Sequence, residues 1–186
     1  MPATSVLKRL FTVKEYYQMF ESGLFANERV ELIRGEIIKM SPIGRRHAAC
    51  VDRCNYTFAH KLGTKVIIRI QNPVALDNTS EPEPDVMVLS YKEDFYRSGH
   101  PQPADVLLLI EVADSTVDSD RQLKIPLYAE DGIVEVWLVD INNACVEVYR
   151  QPTVTGYQEI LQFHRGQNLS ILAFPEVNIT VDEILG

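Results

Sequence analysis

The longest apolar run in the sequence is Val106-Leu107-Leu108-Leu109-Ile110, and Glu111 and Val112 follow it directly. Apolar residues at consecutive positions are typical of a strand in a sheet that is covered on both faces. The run therefore predicts a buried strand over residues 105–112. A carboxylate within such a strand is costly to bury unless it is paired or bound to a metal. Glu111 is thus a candidate functional residue, and a strand-end Glu that faces solvent or pairs with one Arg is the alternative.

Helices and strands are predicted on both sides of this run. The stretch Thr12-Val13-Lys14-Glu15 is typical of a capping box that opens a helix. Apolar spacings of three and four predict a helix over residues 46–62. A second helix is predicted over residues 118–130, with a cap at Asp118 or Ser119 and Gly132 past its end, and Pro126 should kink or split it. Strands are predicted over residues 30–33, 36–40, 85–89, 134–141, 145–150, 157–163 and 172–181, with one or two more over residues 65–76. This order predicts an α/β fold of the mixed-sheet, α+β type, with a central mixed β-sheet flanked by helices.

Length and charge limit the function classes. The 186 residues fit a single domain over 1–186. The net charge of −8 excludes tight non-specific coating of nucleic acid or of an anionic membrane. The charge is unevenly distributed, because residues 45–69 hold six basic side chains and one acid, whereas residues 77–94 hold six acids and one Lys. The basic segment predicts either a phosphate-facing surface or a solvated helix face.

The chain has no signature of export. No apolar segment of about 7–15 residues follows Met1, so we expect no signal peptide. The three cysteines, Cys50, Cys54 and Cys145, form no disulfide framework. His47, Cys50 and Cys54 are spaced for one helix face, but the cysteines are expected to pack as small apolar residues rather than to bind zinc, with His47 peripheral. These features predict a reduced, cytoplasmic protein without a membrane partner.

Three further residues stand out besides Glu111. Asp85 follows Pro84 where a Pro-rich loop enters an apolar strand, although such dipeptides are also common in ordinary turns. Lys124 lies on the predicted helix after Glu111, where an exposed ion pair with Asp120 is the alternative. Glu31 alternates with apolar residues in a predicted strand, so it could equally face solvent. Asp85 and Glu111 would converge at one sheet edge if their strands are adjacent, and such oxygen ligands suit Mg²⁺ or Mn²⁺.

Six motifs in register resemble the PD-(D/E)XK nuclease superfamily, and most closely its branch of Uma-type restriction endonucleases. The resemblance runs from about residue 12 to residue 185. Its motifs are Val-Glu-Leu-Ile-Arg-Gly-Glu at 30–36, Gly-Arg-Arg-His at 44–47, Glu-Pro-Asp-Val at 83–86, Leu-Ile-Glu-Val-Ala-Asp-Ser-Thr at 109–116, Lys-Ile-Pro-Leu-Tyr-Ala-Glu-Asp-Gly-Ile at 124–133 and Glu-Val-Trp-Leu-Val-Asp at 135–140.

The resemblance implies a restriction-endonuclease-like core and a divalent-metal phosphodiesterase site. By position, Asp85 and Glu111 would bind Mg²⁺ or Mn²⁺, with the backbone carbonyl of Val112 as a further ligand. Glu31 would supply another catalytic carboxylate, and Lys124 would stabilise charge on the phosphoryl group. The superfamily's usual Lys, two residues after the acid, is replaced by Ala113, so its role moves to Lys124.

The leading hypothesis is a Mg²⁺-dependent endonuclease that hydrolyses DNA phosphodiester bonds. The alternative is a nuclease-fold binding or assembly module with weak or no catalysis, which the acidic net charge and Ala113 favour. A homodimer formed through the apolar C-terminal strands is also expected.

Overall fold

The computed structural model describes residues 7–114 and 117–186, which form ten strands and five α-helices. The strands are β1 (Val30–Ile33), β2 (Glu36–Lys39), β3 (Val66–Ile70), β4 (Val86–Ser90), β5 (Val106–Ala113), β6 (Glu135–Asp140), β7 (Cys145–Thr153), β8 (Gly156–His164), β9 (Asn168–Ile171) and β10 (Phe174–Thr180). The helices are α1 (Val13–Glu21), α2 (Arg45–Leu62), α3 (Val117–Ser119), α4 (Ile125–Glu130) and α5 (Val181–Leu185). The end of the 109–116 motif and the first six residues of the segment inspected for a signal peptide lie outside the described residues.

Six strands form the central sheet in the order β3-β4-β5-β6-β7-β8. β5 and β6 are parallel, whereas the other neighbouring pairs are antiparallel, so the sheet is mixed. β5 has a partner on each side, and seven of its eight residues are buried. The predicted buried strand and the predicted fold class, a mixed sheet flanked by helices, are therefore confirmed.

Helices cover the sheet on both faces. α2 packs on one face, where Phe58 and Trp137 lie with their ring centroids 5.8 Å apart, and α5 and the β9–β10 hairpin extend this core. α4 covers the opposite face through Ile125 and Tyr128. α1 and the β1–β2 hairpin enclose a smaller cluster around Leu32. Burying each large apolar side chain contributes about 1.5–3 kcal/mol, so these clusters fix the layers that position the strand ends.

A π-helical turn over Asp120–Lys124 joins α3 to α4, where the sequence predicted a helix that Pro126 kinks or splits. The Ile125 N–H donates to the Asp120 carbonyl, a bond that spans five residues. Pro126 follows in the first turn of α4, and it has no N–H for the usual bond to the carbonyl four residues earlier. Such turns widen a helix locally and are frequent at functional sites. Here the turn carries Lys124 inward, where it is 8% exposed.

Of the one or two strands predicted over residues 65–76, the structure has β3, which ends at Ile70 because Gln71 adopts a φ of 51° and turns the chain. The strand predicted over residues 172–181 is found as β10, which ends where Thr180 and Glu183 open α5 as a capping box. The first capping box, at Thr12 and Glu15, is confirmed. No helix within residues 7–114 and 117–186 has the length and apolar character to span a membrane.

Candidate active site

The fold brings the predicted site residues to one cavity of about 250 Å³. Glu31 comes from β1, Glu111 from β5 and Lys124 from the π-helical turn, and Asp85 directly precedes β4. The cavity, called the active-site cavity below, is also lined by Val112 and by residues of the first turn of α2. Residues separated by up to 93 positions in the sequence thus converge, as the resemblance implied.

Strand pairing places Asp85 beside Glu111. β4 and β5 are antiparallel with Val86 opposite Ile110, so Asp85 is the next position opposite Glu111. The Val112 N–H donates to Asp85 Oδ2 at 2.9 Å, and this backbone bond fixes the carboxylate at the end of the strand. The backbone of Val112, predicted to contribute its carbonyl to a metal, therefore also holds the predicted ligand Asp85 through its N–H.

Two side chains complete the surroundings of Asp85. His47 Nε2 lies 3.0 Å from Asp85 Oδ2, and the Gln71 side-chain amide donates to Oδ1 at 3.2 Å. Burial alone would raise the pKa of Asp85, but the His47 hydrogen bond and charge, with the other donors, hold it below its ordinary value. The same hydrogen bond raises the pKa of His47. Oδ2 receives two hydrogen bonds and Oδ1 one, which leaves Oδ1 the freer atom for a cation.

Lys124 lies between Glu31 and Glu111. Its Nζ is 3.1 Å from Glu31 Oε2 and 3.3 Å from Glu111 Oε1, and all three residues are buried. The Tyr128 hydroxyl donates to Glu111 Oε1 at 2.5 Å. Burial raises the pKa of Glu111 to about 8, against the opposing charge of Lys124. Burial disfavours the Lys124 ammonium, but the two carboxylates outweigh it and raise its pKa, so Lys124 stays charged at neutral pH.

Glu31 also ties the β1–β2 hairpin to the loop that carries Asp85. The Glu83 N–H donates to Glu31 Oε2 at 3.1 Å, and Leu32 pairs with Glu81 in an isolated bridge. Glu31 is 4% exposed, so the alternative of a solvent-facing strand residue is wrong. The hairpin therefore serves as a wall of the active-site cavity.

Sequence reasoning missed three residues. His47, which was expected to be peripheral, contacts Asp85, and Gln71 and Tyr128 contact the two acids. The Gly-Arg-Arg-His motif at 44–47 was a signal for His47, and the motif at 124–133 contains Tyr128, but nothing singled out Gln71. His47 Nδ1 is buried without a hydrogen-bond partner among the described residues. The expected packing of Cys50 and Cys54 is confirmed, because both are buried in the α2 core.

The donor set fits a divalent cation held by two carboxylates. Within residues 7–114 and 117–186, no group of three or more His, Cys, Asp or Glu side chains is arranged to hold a metal. Mg²⁺ commonly takes one or two protein carboxylates and completes its shell with waters and substrate phosphate. Asp85 and Glu111 match that requirement, while Glu31 is engaged by Lys124.

The active-site cavity carries an excess of negative charge. Its lining includes three basic side chains, Arg29, Lys39 and Lys124, against six carboxylates, Glu31, Glu83, Asp85, Glu111, Asp114 and Asp120. Such a site repels a phosphate unless a bound cation offsets the carboxylates. The charge balance therefore favours chemistry that takes place with a divalent cation in the cavity.

Comparisons with known proteins concern the fold and the family of the chain. A solved structure titled as a putative nuclease belonging to DUF820, from Anabaena variabilis ATCC 29413, superposes with a TM-score of 0.70. It shares 17% sequence identity, over 94% of this chain and 97% of that chain, so the likeness concerns the fold. No curated protein matches the sequence. The sequence model of the Uma2 family, described as "Putative restriction endonuclease", matches residues 13–182, and the chain belongs to that family.

Proposed function

We propose that the chain is a metal-dependent endonuclease that hydrolyses DNA phosphodiester bonds. Membership of the Uma2 family and the nuclease-like fold support a nuclease role. The observation that carries the finer proposal is the position of Lys124, whose ammonium lies within 3.3 Å of both Glu31 and Glu111 in the cavity that holds Asp85. A buried ammonium beside paired acids is costly to maintain, which favours a catalytic reason for it.

Asp85 and Glu111 would hold Mg²⁺ or Mn²⁺, with the carbonyl of Val112 as a further ligand. When bound, the metal would offset the charge of the phosphodiester and lower the pKa of an attacking water. His47 and Gln71 hold the Asp85 carboxylate through hydrogen bonds, and Tyr128 holds that of Glu111. Partners of this kind orient metal ligands and sustain their affinity.

Lys124 would stabilise the negative charge that develops on the phosphoryl oxygens. Its charge is maintained at neutral pH by Glu31 and Glu111, and its position on the π-helical turn keeps the ammonium at the cavity wall. A fixed cation in a water-poor site stabilises a transition state more than the same group does in bulk water. Glu31 would act through Lys124, by holding the ammonium in place.

Cleavage of a supercoiled plasmid tests the proposal. We expect nicked and linear products with Mg²⁺ or Mn²⁺ and none with a chelator present. Asp85→Ala should abolish the products, and Lys124→Met should slow their formation about 100-fold. The control is Asp52→Ala, which removes the same charge from an exposed position on α2.

Two results would contradict the proposal. Cleavage by Asp85→Ala at the wild-type rate would exclude this site. A wild-type protein that binds the plasmid but leaves it intact with every divalent cation tested would favour the binding or assembly module instead. Ala113, at the position of the superfamily's usual Lys, is the observation that favours that second function.

A further inference from the structure

A second cavity, of about 350 Å³, is lined by four arginines. This arginine pocket lies along α2, and its lining residues are Arg45, Arg46, Ala49, Cys50, Arg53, Ile141, Arg165 and Leu185. None of these lining residues, all within the described part of the chain, is acidic. Four guanidinium groups around one cavity are unusual in a protein whose net charge is −8.

Two of the four arginines are not neutralised by a carboxylate. Arg46 pairs with Asp114 at 3.1 Å, and Arg165 pairs with Asp182 at 2.9 Å. Among the described residues, Arg53 donates only to the carbonyl oxygen of Leu185, at 3.2 Å. Arg45 makes no side-chain hydrogen bond or ion pair within residues 7–114 and 117–186. The pocket therefore keeps an excess positive charge and free N–H donors, which suits an anion.

The arginine pocket and the active-site cavity share a wall. Gly44 and His47 line the active-site cavity, whereas Arg45 and Arg46, between them in sequence, line the arginine pocket. Asp114 lines the active-site cavity and forms the ion pair with Arg46. The first turn of α2 thus has one cavity on each side. Its first turn holds no acidic residue, so the positive end of the helix adds to the potential there.

We propose that the arginine pocket binds a backbone phosphate of the nucleic acid whose neighbouring phosphodiester lies in the active-site cavity. Guanidinium groups bind phosphate through two parallel hydrogen bonds and keep their charge at every physiological pH. Successive phosphates of one strand would then meet the pocket and the cavity in turn. The inference rests on the proposed function and adds the route that the substrate takes across α2.

The expected signature is a contribution to substrate binding that depends on salt. Each phosphate contact that is lost lowers the slope of log Kd against log salt concentration by about 1. A contact made equally in the ground and transition states raises KM and leaves kcat unchanged. The pocket residues should follow this pattern, in contrast to the residues of the active-site cavity.

The test combines Arg45→Ala and Arg53→Ala in one variant. Its control combines Lys14→Ala and Arg97→Ala, which remove the same charge from exposed positions outside both cavities. Fluorescence anisotropy with a 30-base-pair DNA duplex, without divalent metal, is measured from about 50 to 200 mM KCl. We expect the pocket variant to bind about tenfold more weakly at 100 mM, with a slope lower by about 1, and the control to lose less than about twofold.

The outcomes separate this inference from the proposed function. If the pocket and control variants bind the duplex with equal affinity and with equal slopes of log Kd against log salt concentration, at unchanged melting temperature, the proposed phosphate site is overturned. That holds even if the wild type cleaves plasmid. A loss of duplex binding that is confined to the pocket variant supports the phosphate site. If the wild type also cleaves no DNA, the proposed endonuclease function fails while the phosphate site stands. With cleavage present, a raised KM at constant kcat supports the pocket further.

Discussion

Two buried charge clusters in this protein resemble each other in composition but differ in their surroundings. The open cluster consists of Glu31, Glu111 and Lys124 and lines the active-site cavity. The sealed cluster pairs Glu135 with Arg150 in the neighbouring strands β6 and β7. Both contain a glutamate from a strand of the central sheet that is at most 3% exposed. Sequence alone would treat these glutamates alike.

The sealed cluster uses the hydrogen-bonding capacity of its carboxylate. Glu135 Oε1 accepts from Arg150 Nε at 3.0 Å and Nη2 at 2.7 Å, and from the Trp137 indole at 2.9 Å. Its Oε2 accepts from the Leu172 N–H at 2.7 Å. Four donors surround this buried carboxylate, and Arg150 also lies 4.0 Å from the more exposed Glu159. Such a glutamate has no capacity left for a ligand and serves to hold β6 and β7 to the β9–β10 hairpin.

The open cluster holds two acids for one ammonium. Lys124 contacts both Glu31 and Glu111, and burial raises the pKa of Glu111 to about 8, so the cluster gains its second negative charge only as this proton leaves. These groups border a cavity rather than packed side chains. The comparison teaches that incomplete satisfaction next to a cavity, rather than burial or residue type, separates a candidate catalytic acid from a structural one.

The largest expected effect is the loss of plasmid cleavage when Glu111, rather than Glu135, is replaced by glutamine. Glu111→Gln should lower plasmid cleavage at least about 10³-fold, because the ligand charge is lost. Its stability should stay near that of the wild type, since burial already favours the neutral side chain. Glu135→Gln is the matched control and should cleave normally per folded molecule while unfolding at lower urea. If Glu135→Gln lost cleavage and Glu111→Gln lost only stability, the catalytic and structural roles of the two clusters would be exchanged.

Removing the cation of the sealed cluster should affect stability alone. Arg150→Met leaves Glu135 buried without its partner, which costs about 3 kcal/mol. Urea unfolding, followed by circular dichroism, measures this loss. Cleavage per folded molecule should match the wild type, because Arg150 lines neither cavity. A loss below about 0.5 kcal/mol would show that water or other donors replace the guanidinium.

The stability of the metal-free protein should depend on pH through Glu111. Its pKa is raised to about 8 in the folded state from about 4.5, so the folded protein holds this proton more tightly than the unfolded chain does. The associated stability is full below pH 4.5 and falls as the pH rises towards 8. Between pH 5 and 8, the unfolding free energy of the wild type should fall by about 3–4 kcal/mol relative to that of Glu111→Gln, measured by urea unfolding with a chelator present. If the unfolding free energies of wild type and Glu111→Gln change in parallel with pH, the raised pKa of Glu111 is contradicted.

Much of the fold could be predicted from the sequence because its signals are local. Alternating or continuous apolar residues located β5 and its neighbours, and Thr12 with Glu15 located the start of α1. The π-helical turn could not be predicted, because Pro126 indicates only that the helix is perturbed and not which hydrogen bonds replace the missing one. The turn matters for function, since it sets the inward direction of Lys124.

The four acidic and basic site residues could be predicted only as a set. Each residue alone could equally be a turn, surface or ion-pair residue, and only the order of the six motifs along the chain connected the four into one site. The contacts that surround Asp85 were not predicted. His47 lies 38 residues before Asp85 in the sequence, and its position at the start of a predicted helix indicated only a peripheral role, although the motif at 44–47 contains it. Gln71 reaches Asp85 through a backbone turn at positive φ that no pattern specifies.

The smallest expected effect concerns His47, which contacts Asp85 in the active-site cavity. His47→Ala should weaken the apparent Mg²⁺ affinity in plasmid cleavage about tenfold, because Asp85 loses one of its three orienting contacts. His47→Gln should recover most of that affinity, since its amide can donate a hydrogen bond to the carboxylate. His60→Ala is the control, as His60 is exposed on the same helix and stacks on Tyr56. If Gln and Ala at position 47 weaken Mg²⁺ affinity equally in folded protein, the imidazole acts on the reaction itself and not by orienting Asp85.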